Sequence, residues 1–259
     1  MARPIRGFFV MALTNNQVKY GKPLFNNDIF NRIINGLRIW RKKQSSSIIA
    51  DYDMVHQTNK STSILTDFSG NNNHASMSGF SSGSWLVGGG LKFDGSSTLI
   101  STPINQADIF NNPNGASIEA VLDYGTKSNY RGVAGALATV ENNDLLFLQR
   151  SNSMEVGFFG GGHSTFSDAL IPNDYFYFAM TYDRTNIISY LNNSVNTTYN
   201  RPNINVRNDT ICIGKCGTNP QTYVRYMDGR IKRFRIHNKA LSLQEILDSY
   251  NGLVSGGYL

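Results

Sequence analysis

The pattern of apolar and polar residues predicts strands along most of the chain and helices in only two places. From about residue 47 onward, short segments rich in β-branched and aromatic residues alternate with runs of Asn, Gly, Asp and Ser. About ten such segments lie within roughly 200 residues, which is typical of two stacked antiparallel sheets. We therefore predict an all-β sandwich for this part of the chain.

The C-terminal segment changes its period partway along. Apolar and basic residues alternate raggedly from Ile231 to Ile236, which predicts a strand. Ser242 followed by Glu245 forms a capping box, so we expect a short helix directly after the strand. The apolar residues at helical spacing are Leu241, Leu243, Ile246, Leu247 and Tyr250.

The second helical pattern lies near the N-terminus. Residues 28–43, with Asn27 as the N-cap, would form an amphipathic helix about 24 Å long. The QSSS stretch that follows predicts a linker, which divides the chain into an arm at 1–44 and a sandwich at 45–259. The apolar residues of the helix fall within an arc of about 140°, and they are Ile29, Phe30, Ile33, Ile34, Leu37 and Trp40. The cations that close it are Arg41, Lys42 and Lys43.

Positive charge is concentrated in the same segment. Residues 1–50 hold nine Lys and Arg against Asp28 alone, a net +8, whereas the whole chain carries +6. Burying the six apolar residues would contribute on the order of 10 kcal/mol before entropy. We therefore interpret residues 1–44 as an anchoring arm covered by other subunits of an assembly or by the sandwich itself. Nucleic acid is not an expected partner, because no aromatic-basic alternation accompanies the charge, and no apolar run approaches the ~18 residues of a membrane span.

Two cysteines, Cys212 and Cys216, lie in the segment ICIGKCG. On one extended strand they would be ~13 Å apart, too far for a disulfide unless Gly214 makes a turn. We interpret them as half-buried thiols in a reducing compartment. They lack zinc-site spacing, and the four scattered His residues indicate no metal cluster.

Five motifs resemble, in order and spacing, those of laminin-G-like, concanavalin A-like jelly rolls. The resemblance covers roughly 200 residues and implies a two-sheet antiparallel jelly-roll sandwich whose last strand closes a sheet and whose C-terminal helix caps an end. Residues 1–44 match no part of the family. The motifs are TDFSGNNNHASMSG (66–79), LKFDGSS (91–97), SIEAVLDYG (117–125), YFYFAMTYDRTNIISYLNN (175–193) and DGRIKRFRIHNKALSLQEI (228–246).

Two departures from the family bear on function. The family often has an acidic pair where this chain has Lys232 and Arg233, and a carboxylate of that pair commonly helps to hold a structural calcium ion. Two cations cannot supply an oxygen ligand, so calcium is disfavoured and no cofactor is expected. In place of the family's usual Trp before T-Y-D stand Tyr177 and Phe178, which can fill a core without an indole.

The superfamily includes glycosidases, which need two carboxylates at the scissile bond. This chain has only four Glu residues and lacks the E-x-D-x-x-E strand signature of such enzymes. Glu119 with Asp123 is the nearest approach, but the spacing is wrong and no third acid follows. We therefore expect no enzymatic activity.

Adhesive modules on virus particles, including phage heads and tails, are similar to laminin-G-like domains. Our hypothesis is a non-enzymatic structural or adhesion protein of a virion, assembled in the host cytoplasm, with a lectin-like sandwich displayed outward. The alternative is a carbohydrate-binding module or glycosidase acting on extracellular polysaccharide. A secretion signal would favour that alternative, but no cleavage pattern follows the apolar stretch Phe8–Leu13. Candidate ligand contacts in loops or near strand ends are Tyr130, Arg131, Arg150, Glu155 and His163.

Overall fold

The computed structural model divides the chain into two units, Met1–Ser45 and Ser46–Leu259. The first unit contains an antiparallel hairpin of β1 (Ile29–Ile34) and β2 (Leu37–Lys42). The structure describes residues 29–34, 37–42, 47–125, 131–137, 144–150, 153–158, 162–167, 171–172, 174–219 and 223–259.

The amphipathic helix predicted over residues 28–43 is wrong, because the segment forms this hairpin instead. Its apolar positions are largely isoleucine, a β-branched residue that loses side-chain freedom in a helix and packs well in a strand. The register pairs Ile34 with Leu37 and so leaves two residues between the strands. Those residues are Asn35 and Gly36 in the sequence, the pair most favoured in two-residue hairpins. Asn27, predicted as the N-cap, and Lys43, predicted as the last residue of the helix, lie outside the described residues.

The described residues of the second unit form the strands of the sandwich, two α-helices and a short 3₁₀ helix at Ser82–Ser84. The α-helices are α1 (Gln106–Phe110) and α2 (Leu243–Ser255). The strands are β3 (Ile48–Asp53), β4 (Ile64–Leu65), β5 (Ala75–Ser78), β6 (Leu91–Asp94), β7 (Leu99–Asn105), β8 (Ala116–Tyr124), β9 (Arg131–Ala136), β10 (Leu145–Arg150), β11 (Ser153–Phe158), β12 (Gly162–Ser167), β13 (Phe176–Tyr182), β14 (Asn186–Leu191), β15 (Ser194–Asn200), β16 (Thr210–Ile213), β17 (Lys215–Asn219), β18 (Tyr223–Tyr226) and β19 (Asp228–His237).

Most of these strands form two antiparallel sheets. The first sheet has the order β12-β11-β10-β9-β16-β7-β5-β4, and the second has the order β15-β14-β13-β8-β19-β3 with β6 also paired to β19. Alternate residues of both sheets meet in one core, where the Phe147 and Phe178 rings lie 4.4 Å apart between centroids. The predicted all-β jelly-roll sandwich is confirmed. The remaining strands, β17 and β18, form a separate two-stranded ribbon.

The basic closing strand lies inside its sheet. β19 pairs with β8 on one side and with β3 and β6 on the other, so it joins the sheet rather than ending it. The helix α2 follows with Ser242 as its N-cap, and the predicted capping box with Glu245 is present. Its apolar residues, among them Ile246 and Leu253, form a cluster with Val121 and Tyr177. The helix therefore covers the outer face of the second sheet and does not cap an end as the resemblance implied.

Two of the family motifs organise backbone. The Asp67 carboxylate accepts the Asp51 N–H at 2.8 Å, and the Asn71 and Asn73 side chains donate to the carbonyls of Ile48 and Ile49 at 2.9 and 2.7 Å. The 66–73 loop therefore occupies the outer edge of β3, which would otherwise present unpaired backbone groups.

The F-D-G motif builds a turn in the same manner. The Asp94 carboxylate accepts hydrogen bonds from the backbone N–H groups of Ser96, Ser97 and Thr98 at 2.9 to 3.0 Å. Burial opposes ionisation, but the hydrogen bond from the Ser97 hydroxyl at 2.6 Å and these backbone bonds hold the pKa of Asp94 well below its usual range. The F-D-G motif therefore has a structural role in forming this turn.

Candidate functional site

The acids nearest to a catalytic pair are engaged within the fold. Glu119 is buried on β8, where its Oε1 accepts from the Tyr177 hydroxyl at 2.6 Å and its Oε2 lies 2.6 Å from the Nε2 of His237. Asp123, also buried, accepts from the Nε of Arg230 at 2.5 Å. Neither carboxylate lines a described cleft, so their arrangement serves packing rather than acid-base chemistry.

The electrostatics of Glu119 agree with this structural role. Burial opposes ionisation, but the hydrogen bond from His237 and the charges of His237 and Arg235 lower the pKa of Glu119 well below its usual range. A general acid for glycoside hydrolysis needs a raised pKa instead. Glu119 is therefore unsuited to donate a proton near neutral pH.

The outer faces of both sheets carry additional structure. The helix α2 packs over β8 and β13 of the second sheet. The ribbon covers part of the first sheet, because Cys216 of β17 forms a buried cluster with Leu146 and Leu148 of β10. A polysaccharide lying across the middle of either face would have to displace one of these elements.

The second sheet borders an open cleft of about 490 Å³, which we call the Tyr175 cleft. A glycine-rich loop forms one wall, and side chains at the start of β13 and along β19 form the other. Val87 stands wholly exposed at the loop tip, among the most exposed large apolar residues described. The lining residues are Leu86, Val87, Gly88, Gly89, Tyr175, Arg230 and Lys232.

Glycine is required where the loop approaches the sheet. Gly89 and Gly90 have φ values of +93° and +105°, which side-chain-bearing residues rarely adopt. A β-carbon at Gly89 would lie 2.8 Å from Val55, and one at Gly90 would lie 3.3 Å from the Tyr175 hydroxyl. The GGG run thus holds the loop close to Tyr175 and fixes one wall of the cleft.

Two cations flank the tyrosine ring. The Lys232 Nζ lies 4.1 Å from the centroid of Tyr175, and the Arg230 guanidinium carbon lies 4.8 Å from it. Asp123 lies behind Arg230 and pairs with it, while Lys232 donates to the neutral backbone carbonyl of Tyr258 at 2.8 Å. Partial burial lowers the pKa of Lys232 and raises that of Tyr175. Arg230 and Lys232 are the charged residues among those that line the cleft, and the carboxylate of Asp174 is near enough to act on both.

The structure spreads the sequence-predicted ligand contacts along four neighbouring strands. Arg131 begins β9 and donates to the Gly95 carbonyl at 2.6 Å, while Glu155 is buried in β11 opposite Leu148 and Thr165. Arg150 ends β10, and His163 lies in β12 opposite Gly157. Tyr130 lies outside the described residues. Neither Arg131 nor Glu155 is among the residues that line the Tyr175 cleft.

The sequence contained a partial signal for the cleft. Lys232 departs from the family's acidic pair, and the GGG run at 88–90 is visible directly before the LKFDGSS motif. What it could not show is that the glycine loop, Tyr175 and Lys232 are adjacent. That proximity arises because β6, which follows the loop, pairs with β19.

A family model described as the concanavalin A-like lectin/glucanases superfamily, of the laminin-G type, matches residues 94–247, more than half of the chain. The chain belongs to this superfamily. The matched range includes Tyr175, Arg230 and Lys232, whereas the glycine loop precedes it. No curated protein matches the chain in sequence. Because the superfamily description includes both lectins and glucanases, membership alone does not assign an activity.

Solved structures with a similar fold include three from botulinum neurotoxins, and each aligns with 80% of this chain. One is from type C, whose cell entry depends on interaction with two ganglioside molecules (18% identity, TM-score 0.60, 51% of that chain). Another is the binding domain of neurotoxin DC in complex with rat synaptotagmin II (17%, 0.59, 52%). The third is the receptor-binding domain of the C/D mosaic serotype (17%, 0.59, 52%). The similarity shows the fold, and this chain spans about half the length of those chains.

Melting of this concanavalin A-like protein is expected to be independent of calcium. Arg233, at the position of the family's acidic pair, donates to both oxygens of Asp51 at 2.8 and 2.6 Å. The described residues contain no group of three or more His, Cys, Asp or Glu placed to hold a metal ion. Thermal midpoints with EDTA and with millimolar calcium should agree within error, and a large calcium-dependent rise would contradict this prediction.

Proposed function

We propose that this chain is a non-enzymatic binding protein whose sandwich recognises an acidic saccharide at the Tyr175 cleft. The observation that carries the proposal is the pair of cations, Arg230 and Lys232, held beside Tyr175 and next to the exposed Val87. A sugar carboxylate can accept charge-assisted hydrogen bonds from the two cations. The apolar wall and the edge of the ring supply contact area for the carbon face of the sugar.

Three features support binding rather than hydrolysis. Glu119 and Asp123 are bonded within the fold, and α2 and the ribbon occupy the outer faces of the sheets. The similar neurotoxin domains are binding domains, one of them from a toxin that depends on gangliosides, which are acidic glycolipids. A glycosidase remains the second candidate, supported by the glucanases of the same superfamily.

We further propose that residues 1–44 attach the sandwich to other subunits of a large assembly, and that this assembly is a virus particle. The net charge of +8 in residues 1–50, against +6 for the whole chain, supports a separate role for this segment. Its division from the sandwich as an independent unit supports the same assignment. Among the described residues, no helix is long and apolar enough to cross a membrane.

Affinity for an acidic oligosaccharide is expected to depend on Lys232 and Tyr175. Calorimetric titration of the full chain with a sialylated oligosaccharide should give measurable heat, and the matching neutral oligosaccharide should bind more weakly. Lys232→Met should weaken binding about ten- to a hundredfold, since a hydrogen bond to a charged group contributes about 1.5 to 3 kcal/mol. Tyr175→Ala should weaken it further by removing the ring that both cations contact.

The control is Tyr199→Ala, which removes a partly exposed tyrosine from β15, away from the cleft. It should leave the titration unchanged. Equal affinity of all three variants would overturn the assignment of the cleft. Release of reducing ends from a polysaccharide panel, abolished by replacing one acid, would favour the glycosidase instead.

A further inference from the structure

The ribbon rests directly on the backbone of the first sheet. A β-carbon at Gly132 of β9 would lie 2.3 Å from the backbone nitrogen of Cys216, and one at Gly135 would lie 2.8 Å from the Cys216 sulfur. Real β-carbons do not approach other atoms this closely, so these positions require glycine. Cys216 therefore sits over β9 on the outer face of the sheet.

Cys212 faces the same side of this sheet. It pairs with Gly135 across the β16-β9 ladder, and its neighbours Ile211 and Ile213 point into the core. Because successive strand residues point to opposite faces, Cys212 points to the outer face of the sheet. A side chain at Gly135, its cross-strand partner, would point to the same face. The β-carbons of directly paired residues lie about 4.5 to 5.5 Å apart. The Cys216 sulfur lies 2.8 Å from the position of a Gly135 β-carbon, so it is close to the Cys212 side chain on the same face of the sheet.

Gly214 makes the turn without which Cys212 and Cys216 would be too far apart for a disulfide. Its φ is +85°, and a β-carbon there would lie 2.2 Å from the Phe93 ring. The chain turns here, and Cys216 lies over Gly135, the residue that pairs with Cys212, so one extended strand does not separate the two thiols. The Cys212 sulfur points along the chain towards this turn, 3.8 Å from the Ile213 carbonyl oxygen.

We propose that Cys212 and Cys216 form an intramolecular disulfide when the protein meets a low-molecular-weight disulfide oxidant, and that the bond fastens the ribbon to the first sheet. The thiols are both free and buried in this structure. Rotation of the two side chains and a small shift of the ribbon would bring the sulfurs together. The proposal is independent of saccharide binding.

The chemistry balances with oxidised glutathione as the oxidant. One cysteine thiolate attacks a glutathione sulfur and releases one glutathione thiolate, and the second cysteine thiolate then attacks the resulting mixed disulfide and releases the other. Two electrons pass from the cysteines to glutathione, and the two cysteine protons end on the glutathione thiolates.

Burial sets the expected rate. It raises the pKa of Cys212 to about 12 and that of Cys216 to about 11, and the nearby Cys216 charge contributes to the shift of Cys212. Thiolates are the attacking species, so oxidation should be slow at neutral pH and faster at higher pH. The thiols are thus inert to brief exposure but can be oxidised during long residence in an oxidising medium.

The test equilibrates the full chain with excess oxidised glutathione, then alkylates it in denaturant and maps the peptides by mass. We expect both cysteines to escape alkylation together, as one linked peptide lighter by two hydrogens than its reduced form, with the chain monomeric on a non-reducing gel. Reduction should restore both alkylation sites. The Cys212→Ala variant should instead carry one glutathione or one alkyl group on Cys216.

Three outcomes would overturn the proposal. They are alkylation of both cysteines after equilibration, a stable glutathione adduct on either cysteine of the unaltered chain, or a covalent dimer. All three outcomes are measured on the unaltered chain, so the test is valid even if the alanine variant folds poorly.

Discussion

Replacing Arg233 with methionine is expected to lower the free energy of unfolding by about 3 to 5 kcal/mol, the range for a buried ion pair that loses one partner. Asp51, wholly buried on β3, would lose the two hydrogen bonds it accepts from Arg233. Methionine preserves most of the apolar length of the arginine side chain, so the loss reports the charge. For a chain of this size the midpoint should fall by roughly 6 to 20 °C.

The environment of Arg233 explains why the effect is large. Burial alone would lower the pKa of Arg233, yet the hydrogen bond and charge of Asp51 raise it above its ordinary value. Arg235 lies 3.4 Å from the same carboxylate, but its Nη1 also donates to Ser249 of α2. It is therefore poorly placed to replace both hydrogen bonds of Arg233.

Lys239→Met is the matched control. Lys239 pairs with Glu245 at 2.5 Å, but both side chains are more than a third exposed, at 36% and 38%. Exposed pairs contribute about 0 to 1 kcal/mol, so this variant should melt close to the unaltered protein. Adding Asp51→Asn to Arg233→Met should recover part of the stability, because the stranded charge is removed. The free energies of unfolding are measured with urea. An equal loss for Arg233→Met and Lys239→Met would show that Asp51 does not depend on Arg233.

Local signals in the sequence were sufficient for the C-terminal part of the fold. The capping box at Ser242 and Glu245 predicted the start of α2, and the alternation from Ile231 to Ile236 predicted the strand before it. Both signals act within a few residues, so they can be read without knowing what the segment packs against. The positions of this strand and this helix within the fold could not be predicted in the same way. Whether a strand is central in its sheet, or a helix covers a face of the sheet, depends on residues that are distant in the sequence.

Elements with weak local signals were missed. β15 has the sequence SVNTTYN, whose polar residues face water, and α1 has only five residues, too few to show a helical period. In the N-terminal segment the spacing of the apolar residues fitted a helix, and the Asn35-Gly36 pair carried the information that the spacing lacked. Turn chemistry therefore outweighed periodicity there.

The candidate site could be predicted only in part, for a related reason. Lys232 stood out as a departure from the family, but its neighbours in the Tyr175 cleft come from two other regions of the chain. The register of β19 with β6 and β8 brings them together. Single-sequence patterns do not determine such long-range register.

Removal of the N-terminal unit is expected to abolish self-association or attachment while leaving the sandwich intact. A chain that begins at Ser46 keeps every described sandwich strand, from β3 to β19. It should remain β-rich and melt cooperatively near the midpoint of the full chain. In sedimentation velocity the full chain should form a larger species, alone or with a co-purified subunit, and the truncated chain should remain a monomer.

The hairpin register refines which residues to alter. β1 pairs Ile34 with Leu37 and Ile33 with Arg38, so Ile33 and Leu37 are not cross-strand partners, whereas the predicted helix had grouped them. Ile34→Asp with Leu37→Asp introduces two acids at one cross-strand pair and should reproduce the loss of association. Raising the salt concentration from 0.1 to 1 M shortens the Debye length from about 10 to 3 Å. This change should weaken association only partly, because apolar burial persists at high salt. A full chain that sediments as a lone monomer, or a truncated chain that associates as well as the full one, would remove the anchoring role. A truncated chain that fails to fold would show instead that the hairpin stabilises the sandwich.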